Sequence, residues 1–80
     1  MSALDLAIKI LASNLQVDRE ELSADTEIIG NYPEFNSLTI VGIVGTIEDE
    51  LDCVIEDDEI STEIFATVGE LAEFIESKSA

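Results

Sequence analysis

Apolar residues return at helical spacing in three separate stretches of this chain, which restricts it to a helical fold. Leu4, Ile8, Leu11 and Leu15 form the first stripe, flanked by Ala7 and Ala12. Ser2 stands where an N-cap belongs, with Asp5 three residues on as a capping-box partner. The spacing ends this helix near Leu15. A second helix is predicted over residues 37–51. At the angular step of a helix, Ile40, Val44, Ile47 and Leu51 share one stripe with Ile43 beside it, and this is the expected core face. Leu38, Gly42, Gly45 and Asp49 make the opposite stripe, with Val41 and Glu48 on one flank and Thr46 on the other. Residues 67–70 read T-x-x-E, a capping box that opens a last helix. That helix turns Val68, Leu71, Ala72 and Ile75 inward and carries Phe74 at its edge.

The segments between the stripes are less regular. Residues 16–36 show no period, and loops of that length in small domains often serve function. Val17, Leu22, Ile28, Ile29, Tyr32 and Phe35 are expected to pin the loop to the helices, and Gly30 and Pro33 punctuate its end. In the acidic stretch 54–65, Asp57 or Asp58 can start a brief third helix carrying Ile60 and Ile64, while residues 52–55 can be extended. The predicted fold is all-α: a four-helix bundle of three main helices plus one short helix with a long first loop, one domain over residues 1–80.

The charge narrows the partners. Formal net charge is -16, and Lys9, Arg19 and Lys78 are the cations. Such a surface repels nucleic acid and anionic lipid and steers basic partners toward it. With 80 residues, a single core forms but a deep cleft between domains does not. There is no histidine, which removes His-based triads and His metal sites, and one cysteine, Cys53, allows no internal disulfide. Cys53 reads as a small buried thiol. No apolar run approaches the length of a membrane span and no basic-then-apolar leader opens the chain, so a cytoplasmic protein is expected. Residues 56–59 form an acidic run that does not fit an EF-hand loop, since starting from Asp57 the glycine position is Thr62. A solvated acidic face and weak binding of Mg²⁺ or Ca²⁺ both remain open there.

Ser37 is the residue with the clearest chemical opportunity. It begins the second helix behind Asn36, a favoured N-cap. The first turn offers unpaired backbone N–H groups and the positive end of the macrodipole, and both suit a phosphodiester on a side chain. On this ground alone an ordinary helix start is the plainer reading.

The surroundings of Ser37 add more. Phe35-Asn36-Ser37-Leu38 resembles the Asp-Ser-Leu motif of the acyl carrier proteins. The likeness continues through residues 39–44, 47–51 and 54–59 and closes with residues 64–72, so that it covers essentially the whole chain. The resemblance implies a carrier rather than an enzyme. A phosphopantetheinyl transferase would place a 4'-phosphopantetheine arm on Ser37, and the arm's thiol would hold an acyl group as a thioester. It also implies a bundle whose core can open to shelter the cargo, with Ile43, Ile47, Leu51, Ile55, Ile60 and Ile64 as candidate lining. The implied partners are the transferase and acyl-loading and acyl-processing enzymes with basic docking patches, met by a monomer. The implied partner-facing residues are Asn36, Leu38, Thr39, Val41, Gly42, Gly45, Glu48 and Asp49.

Two departures from the family pattern stand out. Asn36 replaces the usual Asp before the serine, keeping the capping oxygen but losing the charge that the family offers to the transferase and its metal ion. Along the second helix, Thr39, Gly42 and Gly45 stand where members serving primary fatty-acid synthesis usually carry acids. Glycine costs about 1 kcal/mol against alanine inside a helix. Two glycines on the outward stripe suggest close approach of a partner helix or loop, and with it a specialised carrier in polyketide, lipid-modification or aminoacyl transfer. The competing readings are an aminoacyl or peptidyl carrier, and an acidic helical interaction module that is never modified. An enzyme is disfavoured by the lack of any nucleophile–base pair.

Overall fold

The computed structural model describes residues 2–30 and 35–79. Three α-helices carry the fold: α1 over Ala3–Leu15, α2 over Ser37–Leu51 and α3 over Val68–Ser79. Each begins where its cap dictates. Ser2 accepts the Asp5 N–H at 3.1 Å, Asn36 caps α2, and Thr67 Oγ1 accepts the Glu70 N–H at 3.1 Å. Helices α1 and α2 both stop on a left-handed residue, Gln16 (φ 57) and Asp52 (φ 51), whose amides return to Ala12 and Glu48 carbonyls. A left-handed residue is a common helix stop, more often glycine than these.

Helix α3 packs chiefly on α1, and α2 lies against α1 with a lesser contact to α3. The fully enclosed side chains include Ile10, Leu11 and Leu15 of α1, Ile43 and Ile47 of α2, and Leu71 and Ile75 of α3. Each such side chain stabilises the fold by about 1.5–3 kcal/mol relative to exposure. The face of α1 is wider than its first stripe implies: Leu6, Ala7 and Ile10 are buried, whereas Leu4 and Ile8 are half-buried. On α2, Ile43, Val44 and Ile47 are buried and Ile40 and Leu51 half-buried, so the core face is centred slightly off the predicted stripe.

The long loop is clasped to the start of α3. Ile28 N–H donates to Ala66, Val68 N–H to Thr26 and Gly69 N–H to Ala24, at 3.1, 3.0 and 2.9 Å, around an antiparallel bridge between Glu27 and Thr67. Leu22 and Ile28 are buried beneath it, Val17 and Phe35 half-buried. Ile29, expected to pin the loop, is instead exposed. Tyr32 and Pro33 lie outside the described residues. Two short 3₁₀ turns, Asp57–Glu59 and Thr62–Phe65, take the place of one brief third helix. The acidic row explains the first turn: Glu59 reaches back to the Glu56 N–H at 2.9 Å and closes it at three residues. Phe65 of the second turn is buried in the core and meets Phe35, with ring centroids 5.3 Å apart.

Candidate functional site

Ser37 is exposed at the first position of α2. Asn36 Oδ1 accepts the N–H groups of Leu38 at 2.9 Å and Thr39 at 3.1 Å, and the Thr39 hydroxyl donates to it at 3.4 Å. A neutral amide oxygen therefore fixes the helix start without bringing a charge. That leaves the positive end of the α2 dipole next to the Ser37 side chain, an arrangement suited to an anion.

Beside Ser37 runs an open, mainly apolar groove of about 470 Å³. Ile40 comes from α2, Phe35 and Ile29 from the loop, and Ile60 and Phe65 from the 3₁₀ turns and their link; Ser61 and Thr62 supply hydroxyls. A second groove of about 280 Å³ continues along α2 between Val44, Gly45 and Glu48 on one side and Ile55 and Ile60 on the other, sharing Ile40 and Ile60 with the first. Of the predicted cargo lining, Ile55 and Ile60 border these grooves. Ile43 and Ile47 are fully enclosed in the core. Leu51 lines a separate hollow with Ala3, Leu6 and Ile75, and Ile64 is half-buried against the core. Sequence reasoning missed Ile29, Phe35, Ile40 and Phe65 as groove residues. The signal was Phe35 only two residues before Ser37.

The predicted partner-facing residues divide. Leu38 and Val41 are 83% and 69% exposed, and Asn36 and Asp49 are exposed with Thr39 half-buried. Gly45 has open space where a Cβ would stand. Gly42 is a correction: it turns toward α1, where an added Cβ would come within 2.8 Å of Asn14 Oδ1. The close approach expected from a partner at that glycine is made by the chain itself. Glu48 is half-buried, and its Oε2 accepts the Ile55 N–H at 2.8 Å.

Among the described residues two lysines form ion pairs. Lys9 meets Glu50 at 3.5 Å, and Lys78 pairs with Glu59 while lying over the Phe74 ring. The Lys78 ammonium, helped by the Glu56 N–H, holds the Glu59 carboxyl below its ordinary range. Cys53 is a half-buried free thiol. Among the described residues, no three His, Cys, Asp or Glu side chains converge as a metal site, and no helix is long and apolar enough to cross a membrane.

The chain is a small helical domain with an exposed hydroxyl at a helix start and an apolar groove beside it, features that a carrier can use. The family model described as the phosphopantetheine attachment site matches residues 5–75, and the chain belongs to that family. Its fold is similar to that of a holo acyl carrier protein from Nitrosomonas europaea, determined by solution NMR. The TM-score is 0.85 at 35% identity, over 98% of this chain and 96% of that one. The chain is thus an all-α carrier of the acyl carrier type, which works through a covalently attached 4'-phosphopantetheine and is not itself a catalyst.

Proposed function

We propose that Ser37 is the attachment residue and that the chain is a specialised acyl carrier. The observation that carries this reading is the placement of the Ser37 side chain, exposed at the α2 start and bordering the apolar groove of about 470 Å³. The arm, when attached, supplies a thiol that holds an acyl group as a thioester. The protein's own residues do the rest. The positive end of α2 favours the phosphate, Asn36 fixes that helix start, and Ile40, Ile60, Phe35 and Phe65 offer apolar surface to the cargo.

The partners proposed are a phosphopantetheinyl transferase and acyl-loading and acyl-processing enzymes with basic patches. A specialised role is supported by the upper half of α2. Residues 37–47 carry no charge, and Leu38 and Val41 are exposed there instead. Docking on that half is apolar, and charge enters only from Glu48 and Asp49 downward.

Intact mass after incubation with coenzyme A and a broad-specificity transferase tests the attachment. The expected gain is one phosphopantetheine, abolished by Ser37→Ala. No gain with several transferases would instead favour an unmodified acidic module.

A further inference from the structure

Glu48 has a place in the fold that neither a docking charge nor a core residue accounts for. It is the first carboxylate along α2, after an uncharged run over residues 37–47. It lies in the last turn of that helix, where the carbonyl ends disfavour a negative charge. It is half-buried, and its Oε2 accepts the Ile55 N–H at 2.8 Å. The backbone carbonyl of the same residue accepts the amides of Asp52 and Cys53. One residue thus holds the chain leaving α2 at two places. Ile55 is buried and forms, with Ile60, the wall of the groove facing Val44 and Gly45. That groove shares Ile40 and Ile60 with the one at Ser37.

We propose that Glu48 is a positioning residue that couples docking to the groove wall. In the free chain its carboxylate fixes the Ile55 amide, and a lysine or arginine brought by a docking enzyme takes the same carboxylate and releases that amide. The charge pattern favours this exchange: the bare upper half of α2 offers a cation nothing, and Glu48 stands with exposed Asp49 at the head of the acidic end. The Glu48–Ile55 bond is itself charge-assisted, but an arginine or lysine adds to the carboxylate an ion–ion attraction that the neutral N–H does not supply. Once released, residues 53–60 lose a tether to α2 next to Ile55 and Ile60, and the groove can widen. The purpose of the groove rests on the carrier reading, but the latch does not.

Amide hydrogen exchange, read by NMR on the unmodified chain, tests the latch directly. Glu48→Ala should speed exchange at Ile55 by about tenfold or more while Leu11 and Leu71 keep their rates. Glu48→Gln, which retains an acceptor oxygen, should stay within about threefold of the parent at Ile55. A tri-arginine peptide, compared with sodium chloride at equal ionic strength, should speed exchange at Ile55 and Ile60 in the parent, less in Glu48→Gln and no further in Glu48→Ala. Equal Ile55 rates in the parent and a folded Glu48→Ala would overturn the proposal. So would tri-arginine shifting the signals of residues 48–52 without altering Ile55 exchange. If Glu48→Ala unfolds, seen as faster exchange at Leu11 and Leu71, the contrast between the parent and Glu48→Gln with the peptide decides. None of these rates depends on Ser37, so failure of the carrier reading shows separately in the mass test.

Discussion

Gly42 and Asn14 face each other across the α1–α2 contact. A Cβ at position 42 would stand 2.8 Å from Asn14 Oδ1, while Asn14 Nδ2 donates to the Ile10 carbonyl at 2.8 Å. The two glycines of α2 therefore answer different demands, and alanine separates them. At Gly45, with nothing near the added methyl, alanine should stabilise the helix by about 1 kcal/mol. At Gly42 the same propensity gain is offset by turning Asn14 away from Ile10, a loss of about 1 kcal/mol. Gly42→Ala should leave the urea midpoint nearly unchanged and Gly45→Ala should raise it. A Gly42→Ala gain equal to that at Gly45 would show that Asn14 yields without losing its bond.

Gly69 carries a stricter requirement. Its N–H donates to the Ala24 carbonyl at 2.9 Å, and an added Cβ would meet that same carbonyl oxygen at 3.0 Å. The obstacle is backbone, held in the clasp between the long loop and α3, so it cannot swing aside as Asn14 can. Gly69→Ala should destabilise by about 1–3 kcal/mol despite the better helix propensity. Thermal unfolding of the variant, together with exchange at Ile28 and Val68, checks both the size and the place of the effect.

The helices were legible because their signals are local. Ser2, Asn36 and Thr67 cap the helices they were expected to cap, and α2 runs over the predicted span. Outcomes that depend on distant parts of the chain were not legible. Whether Gly42 looks outward is decided by Asn14, which lies in another helix. The groove beside Ser37 draws Ile29, Phe35 and Phe65 from segments without any period. Glu48 looked like a surface acid because its stripe position says nothing of an amide seven residues on. The acidic run at 56–59 closes as a 3₁₀ turn because Glu59 bonds back to Glu56, a choice that composition alone does not fix.

The Lys78–Glu59 pair sets a pH dependence. The folded Glu59 carboxyl is held below its ordinary value of 4.5, first by Lys78 and then by the Glu56 N–H. A depressed carboxyl contributes stability that is present above the unfolded pKa and is lost as pH falls through the folded one. Lys78→Met should therefore unfold more easily than the parent at neutral pH, and the gap should close as pH falls below about 4.5. Relief of repulsion among the other carboxylates raises both proteins together, so the difference between the two denaturant midpoints is the quantity to follow. A gap that persists unchanged to pH 3 would mean that Lys78 acts through its packing on Phe74 instead.

Asn36 caps α2 next to the proposed attachment residue. Its Oδ1 holds the amides of Leu38 and Thr39, and Asn36→Ala removes that acceptor at a cost of about 1 kcal/mol. For a domain of this size that lowers the melting temperature by about 4–8 °C. Asn36→Asp keeps the acceptor and adds a charge at the positive end of the helix, worth about 0.3–1 kcal/mol. Repulsion within a chain of formal net charge -16 works against that gain. The aspartate variant should therefore melt within a few degrees of the parent, and the alanine variant clearly below it. The two also separate capping from charge in the proposed modification of Ser37. If a transferase reads the carboxylate, mass spectrometry over time should show Asn36→Asp modified faster than the parent, with Asn36→Ala no faster than the parent. Equal rates in the parent and Asn36→Asp would mean that the neutral cap suffices and that the charge has no part in recognition.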